Sequence, residues 1–412
     1  MIAKTAGSTD VRHALARARA RTDALFGLVR PDAFHDRPIP ERHRIIFYFG
    51  HLEAFDWNLL SQTVEIPSFH PEFDRLFAFG IDPEPGQVPQ DKRSDWPERA
   101  EVRQYNARVR QAIDDVSNQI SQEMLSVVIE HRLMHAETFA YLLHQLLTAH
   151  KTIPPIAQLP PGPPTDPAVV EIPAGTATLG RPRKHRHGDD QFGWDNEFDG
   201  HEVYVQAFAV SKYKVSNGEY LEFVRAGAKP PHFWSWRDGR WFWRAMSGEI
   251  PLPLTWPVYV THEEASAFAA WAGKRLPTEA EFHRAAYGTP GGEAERSYPW
   301  GDDLPDPQRG NFNGQRWDPI PVTATALGDS AFGVSQLIGN GWEWTSTVFQ
   351  PFPGFQPFSF YPGYSARFFD GNHYVLKGGS SRTDAGLLRR SFRNWFRPDY
   401  PYVYAGFRCV EN

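Results

Sequence analysis

Between Ile153 and Pro167 the chain carries Pro154, Pro155, Pro160, Pro161, Pro163, Pro164 and Pro167. Proline fixes φ, removes a backbone donor and pushes the preceding residue towards extended geometry, so no helix can run through this stretch. It reads as an extended polyproline linker between two stretches of different texture. The expected organisation is a helical domain over 1–150, a linker over 151–167 and a second domain over 168–412. A length of 412 residues is ample for two domains with separate cores.

Before the linker, apolar residues recur at helical spacing. Helices are expected over Val11 to Arg30, Arg42 to Leu60, Arg99 to Val116 and Gln122 to His150. A polar, proline-bearing loop is expected from about Pro67 to Pro97. Four helices with one long connection predict a small antiparallel bundle, a fold that builds metal sites from inward-facing side chains of several helices. Phe47, His51, Phe55 and Leu59 share one face of the second helix; Met124, Val128, His131, His135, Phe139 and Leu142 form a stripe on the fourth. His131 and His135 lie one turn apart on the same face. Two imidazoles so placed can hold one transition metal from the same side, or they can be a solvated or hydrogen-bonded pair. A protease zinc helix is excluded, because Arg132 occupies the second position of His-Glu-x-x-His. His51, in a similar apolar setting, is the third candidate ligand.

Beyond the linker, short β-like pieces (Val169 to Ile172, His201 to Val210, His373 to Lys377, Ala405 to Val410) alternate with loops rich in Gly, Pro, Trp and Asp. Thr261 to Ala272 is the clearest helix, with Thr261 as N-cap, Glu264 three residues later and Gly273 as its stop. Another opens at Pro277-Thr278-Glu279. The fold class expected for the whole is α+β. The 14 Trp, concentrated in the C-terminal two-thirds, suit a loop-rich fold with aromatic-lined pockets.

Several classes fall away. A formal net charge of -6 argues against a generic nucleic-acid binder. The basic run from Arg181 to His187 is followed at once by Asp189 and Asp190, which suits a solvated loop. No apolar run approaches a membrane span and no signal-peptide core is visible, so the cytoplasm is the expected location. Cys409 is the lone cysteine, so disulfides, redox pairs and cysteine-built metal sites are excluded. A metal must be held by His, Asp, Glu or backbone groups, and Cys409 reads as a small buried hydrophobe.

The blocks Trp271-Ala-Gly-Lys-Arg-Leu-Pro-Thr-Glu-Ala-Glu-Phe282, Tyr298-Pro-Trp-Gly-Asp302, Ile338-Gly-Asn-Gly-Trp-Glu-Trp-Thr345, Lys377-Gly-Gly-Ser380 and Gly406-Phe-Arg-Cys409 resemble the sulfatase-modifying-factor domains, which have a C-type-lectin-like fold. Formylglycine-generating members of that group work through two cysteines, which this chain lacks. With His51 and His131-x-x-x-His135-x-Glu137 in front, the whole resembles the ergothioneine synthase group, non-heme iron enzymes with a DinB-like four-helix bundle before the lectin-like domain. The resemblance implies Fe(II) held by His51, His131 and His135, with O2 as co-substrate. It also implies small-molecule substrates: hercynine, the trimethylated form of histidine, and a sulfur or selenium donor joined to C2 of its imidazole. A neutral three-imidazole face suits Fe(II) with positions left open. Glu137 suits either a carboxylate orienting a ligand imidazole or a solvated helix residue. His43, His144 and His150 read as surface or helix-end histidines. Structural calcium is a further expectation for the Asp- and Gly-rich loops, although none spells a defined calcium motif.

By the same likeness Tyr361, in Phe360-Tyr-Pro-Gly-Tyr-Ser365, is a proton donor and Tyr364 its substrate-binding companion. Asn394 and Trp395 match positions that contact hercynine, the indole face suiting a trimethylammonium, while Arg393 reads equally as structural. Members that use γ-glutamylcysteine follow the Asn-Trp pair with an aspartate and, four residues on, an arginine. Here those donor-site positions are Phe396 and Tyr400, and Phe77 to Pro83 with Gln90 to Trp96 lacks the arginine pattern of a charge clamp. These departures resemble the selenoneine synthase branch, which couples a mostly neutral selenosugar to hercynine. An ergothioneine-forming enzyme using cysteine or another thiol is the alternative. Two other classes stand beside these readings: a metal-dependent thiol transferase of the DinB type, and a binding module whose bundle is only structural.

Overall fold

The structure, a computed structural model, describes residues 3–78, 88–153, 167–183, 192–292 and 295–412. The chain divides into two compact units, Met1–Pro154 and Pro155–Asn412. Most of the expected linker, 154–166, lies outside the described residues.

The first unit comprises α1 (Ala3–Phe26), α2 (Ile45–Leu60), α3 (Pro71–Leu76), α4 (Arg99–Val116) and α5 (Gln122–Gln145). α2 buries Ile45, Ile46, Phe47, Tyr48, Leu52, Phe55 and Leu59, and a helix buried nearly all round belongs at the centre of its domain. α4 is one-sided, burying Val102, Tyr105, Val109 and Ile113. Local chemistry sets the helix ends. Ser121 caps α5 by accepting a hydrogen bond from the Met124 amide at 3.2 Å. α5 ends at Gln145, not His150, and the Lys151 ammonium donates to the Leu143 and His144 carbonyls at 2.7 and 3.2 Å. α1 ends at Phe26, short of Arg30, and α2 begins at Ile45, not Arg42. The expected plain loop from Pro67 to Pro97 instead contains α3. Asp74 anchors it, accepting from the Tyr105 hydroxyl at 2.7 Å through its carboxylate and from Asn58 Nδ2 at 3.0 Å through its carbonyl.

In the second unit β1 (Val169–Ile172), β2 (Gly175–Leu179), β3 (His201–Val205), β4 (Phe208–Ser211), α6 (Asn217–Arg225), β5 (Trp234–Arg237), β6 (Arg240–Ala245) and β7 (Gly248–Pro251) come first. There follow α7 (His262–Trp271), β8 (Lys274–Arg275), α8 (Glu279–Tyr287), β9 (Trp342–Val348), β10 (Tyr374–Lys377), β11 (Asn394–Phe396), β12 (Ala405–Gly406) and β13 (Val410–Glu411). They form sheets β1-β4-β13-β8 and β11-β10-β9-β12, the two-stranded antiparallel sheet β2-β3 and the meander β5-β6-β7. The expected strand His201 to Val210 is two: β3 pairs with β2, and β4 pairs with β1 and β13. Ala405 to Val410 divides likewise, β12 running parallel to β9 and β13 antiparallel to β4.

α8 packs its Phe282, Ala285 and Ala286 into a core with Ile172, Val210, Leu337 and Val410. Beside it Glu343, wholly buried, accepts from Lys214 Nζ at 2.7 Å and Arg408 Nε at 2.6 Å. A buried carboxylate left unpaired costs several kcal/mol, so these two cations fix β9 and the closing Gly-Phe-Arg-Cys block together. Cys409 in that block is buried, and burial pushes its thiol up to about 12, as suits a small hydrophobe. Arg181, expected in a solvated loop, is buried and donates to the Phe192 carbonyl at 2.8 Å; the run from 184 to 191 lies outside the described residues.

Candidate functional site

α2 contributes His51 and α5 contributes His131 and His135, and the structure brings the three together. One ring nitrogen from each lies within 4.8 Å of the others. His51 and His131 are buried, His135 half-buried. The His51 Nδ1–H donates to the Phe77 carbonyl at 2.9 Å, which fixes the tautomer and leaves the Nε2 lone pair for a metal. That carbonyl is held close because α2 has no side chain at Gly50, where a Cβ would stand 2.7 Å from the Phe77 ring. Phe55 stacks on His131 at 3.5 Å and Phe47 on His51 at 4.9 Å. Burial first, then the neighbouring His135 and His51, holds His131 well below its ordinary 6.5, so it stands as a neutral ligand at neutral pH. Three neutral imidazoles, one with its tautomer fixed, are a donor set that fits Fe(II) or another divalent transition metal. Among the described residues no second group of three His, Cys, Asp or Glu side chains converges in this way, so the calcium expectation finds no carboxylate cage.

An ion cluster that sequence reasoning missed ties the same helices. Arg132, next to His131 and fully buried, donates to Glu53 Oε2 at 3.0 Å and Asp56 Oδ2 at 2.7 Å on α2. Arg110 on α4 also pairs with Glu53, and with Asp23 on α1 at 2.7 Å. Four helices are therefore cross-linked beside the histidines. Glu137 is buried, which corrects the solvated reading. His43 and His144 are buried too, contrary to the surface reading, whereas half-exposed His150 pairs with Asp36 at 2.6 Å.

In the second unit Tyr361, Tyr364 and Trp395 come together. Tyr364 meets Tyr361 at 5.5 Å and Trp395 edge-on at 5.6 Å between ring centroids. Phe349 stacks on Trp395 at 4.2 Å and Phe368 lies 5.5 Å away, forming an aromatic surround. Side chains alternate along β11, so Asn394 and Phe396 face away from Trp395. The Asn394 side-chain oxygen accepts from the Trp395 amide at 2.9 Å. Phe396 stacks on Tyr400 at 5.3 Å and 11°. Arg393 is structural: it grips both Glu279 oxygens at 3.0 and 3.1 Å and lies over the Phe352 ring at 4.0 Å. Of the donor loop, Phe79 to Pro83 falls outside the described residues.

Comparison with known proteins places the chain in a family. The DinB superfamily model matches residues 14–151, and the sulfatase-modifying factor enzyme 1-like domain, of C-type-lectin-like fold, matches residues 157–412. A hercynine oxygenase from Mycolicibacterium thermoresistibile is 35% identical over 343 residues, covering 76% of this chain and 74% of the relative. The chain belongs to the hercynine oxygenase family. The hercynine oxygenase of Mycobacterium tuberculosis is 38% identical over 242 residues, covering 54% of this chain and 56% of the relative. Ergothioneine biosynthesis protein 1 of Schizosaccharomyces pombe is 30% identical over 437 residues, covering 93% of this chain. The chain spans 54% of that relative's length. Within this hercynine oxygenase family member, the mixed α+β architecture is the expected one, and no described helix is long and apolar enough to cross a membrane.

Proposed function

We propose that this family member is an Fe(II)- and O2-dependent enzyme that joins a selenosugar to C2 of the hercynine imidazole. The convergence of His51, His131 and His135 carries the reading, and relatives named hercynine oxygenase and ergothioneine biosynthesis protein 1 support hercynine as a substrate. Iron, when bound by these three residues, supplies the dioxygen chemistry that an unactivated C–H bond requires. Replacing the hercynine C2–H and donor Se–H bonds by one C–Se bond removes two electrons. Dioxygen takes four, so selenium leaves oxidised to the selenoxide, and both hydrogens depart with the second oxygen atom as water. The aromatic surround of Trp395 suits a trimethylammonium, Asn394 is the hydrogen-bonding group for hercynine, and the Tyr361 hydroxyl, beside Tyr364, is the proton donor that passes on one of those two hydrogens and regains it, so that none is consumed overall.

Phe396 and Tyr400 replace, by the family likeness, the charged pair that holds a dipeptide, and their stacked rings suit a sugar ring better than carboxylates. A second reading, a thiol donor and a sulfoxide product, is favoured by the sulfur chemistry in the relatives' names. Mass spectrometry of products from Fe(II)-loaded protein, hercynine and a panel of selenosugar, thiosugar, cysteine and γ-glutamylcysteine, with oxygen uptake followed, decides between them. Efficient use of γ-glutamylcysteine would overturn the selenosugar reading, and absence of oxygen uptake with every donor would favour a thiol transferase. His51→Ala is expected to abolish stoichiometric iron in metal analysis; unchanged iron content excludes the site. Tyr361→Phe is expected to retain iron but lose coupling, leaving oxidised donor as the product; unchanged coupling removes the tyrosine from the chemistry.

A further inference from the structure

The segment Tyr361–Ser365 belongs to no strand. Its backbone is a pair of turns, with the Tyr361 amide on the Phe358 carbonyl at 3.1 Å and the Tyr364 amide on the Tyr361 carbonyl at 3.2 Å. Such a loop cannot by itself hold a phenol in one place. Contacts from a single distant turn, Trp194–Glu197, hold it. The hydroxyl of fully buried Ser365 donates to Asp195 Oδ1 at 2.6 Å. The Trp194 indole stacks on Tyr364 at 3.9 Å and 21° and meets Tyr361 edge-on at 6.4 Å.

The same turn holds the approach to β11. Glu197 accepts from Arg389 Nε at 2.8 Å and the Ser391 hydroxyl at 2.6 Å, and the Asn196 carbonyl accepts from Arg393 Nη1 at 3.3 Å. Those residues run directly into Asn394 and Trp395. The turn thus touches both sequence segments that carry the aromatic cluster, which lie far apart in the chain. Burial pushes the Asp195 carboxyl above its ordinary range, although the Ser365 hydroxyl works against it. A buried carboxyl is a costly anchor where an apolar contact would serve, and what it adds is one defined geometry.

We infer that Asp195 is a positioning residue that, through Ser365, sets the place of the Tyr361 hydroxyl relative to Trp395. This rests on the roles proposed above for those two residues. The test uses the full chain with 3-fluorotyrosine at position 361, read by fluorine NMR, alongside the ratio of coupled product to oxidised donor in the iron-loaded enzyme. The wild type is expected to give one narrow resonance. Ser365→Ala and Asp195→Leu are expected to shift or broaden it and to lower the ratio about fivefold, the effect of roughly 1 kcal/mol. Asp195→Asn, which keeps an oxygen for Ser365, is expected to restore both. Combined with Tyr361→Phe, Ser365→Ala should lower the ratio no further, since both act through one hydroxyl. An unchanged resonance and ratio in Ser365→Ala, the milder variant, overturns the inference. If the wild type couples no donor, the proposed reaction fails, while the fluorine comparison still decides whether Asp195 orders the loop.

Discussion

His51 depends on a residue that is almost nothing. Gly50 leaves the space into which the Phe77 ring fits, and Phe77 in turn offers its carbonyl to His51. In an exposed helix Gly→Ala gains about 1 kcal/mol from helix propensity. Here the added Cβ would stand 2.7 Å from a fully buried ring, and overpacking of this kind costs about 1–3 kcal/mol. Gly50→Ala is therefore expected to bind iron more weakly and to be no more stable than the wild type. Metal titration with urea unfolding checks this, and tighter binding with raised stability would show the ring free to yield. The histidine trio itself was legible in the sequence: His131 and His135 share a face by spacing, and His51 falls on an apolar stripe. The Phe77 carbonyl was not, because a backbone acceptor has no side-chain signature.

α2 and α5 are aligned by charge as well as by packing. Arg132 of α5 reaches two carboxylates of α2, in the interior where each charge depends on the others. Arg132→Met is expected to lower stability by about 3–5 kcal/mol, because it takes the guanidinium from buried Asp56 and leaves Glu53 to Arg110 alone. Adding Glu53→Gln and Asp56→Asn should recover part of that loss, and the recovery is measured by urea unfolding of the three variants. A single variant as stable as the wild type would show that apolar packing alone aligns the helices. The sequence hid this cluster, since charged residues on a helix ordinarily mean a solvated face, and only the partner helix reveals burial. Elements followed the same rule. α7 and α8 were legible from local capping, whereas α6, with its Ser216-Glu219 capping box, was overlooked. The meander β5-β6-β7 was also missed, although Asp238-Gly239, both at positive φ, spells its first turn. The Trp194–Glu197 turn left no periodic trace, for its hydrogen-bond partners Ser365, Ser391 and Arg393 lie 170, 194 and 197 positions away.

Across the whole chain, burial fixes how stability answers to acid. Burial first of all holds His131, His262 and His283 below 6.5, His262 at about 4. The unfolded chain therefore takes up protons that the folded chain refuses, and stability falls as pH drops below about 6.5, by at most about 1.4 kcal/mol per pH unit for each histidine. Burial alone would raise Glu197 and Glu343, but Arg389 beside the one and Arg408 with Lys214 beside the other hold both below 4.5. Their contribution is complete above 4.5 and is lost as pH falls through the folded values. Urea midpoints of the metal-free protein should thus decline from about pH 6.5 and more steeply below 4.5; a flat profile between pH 7 and 5 would contradict the first step. Cys409 carries a different consequence. With its sulfur buried beside the closing strand β13 and protonated at any physiological pH, the protein would keep no bystander thiol open to self-inactivation by the proposed oxygen chemistry. Alkylating reagents should leave the native fold untouched, so the rate at which they mark this single atom becomes a clock for its opening.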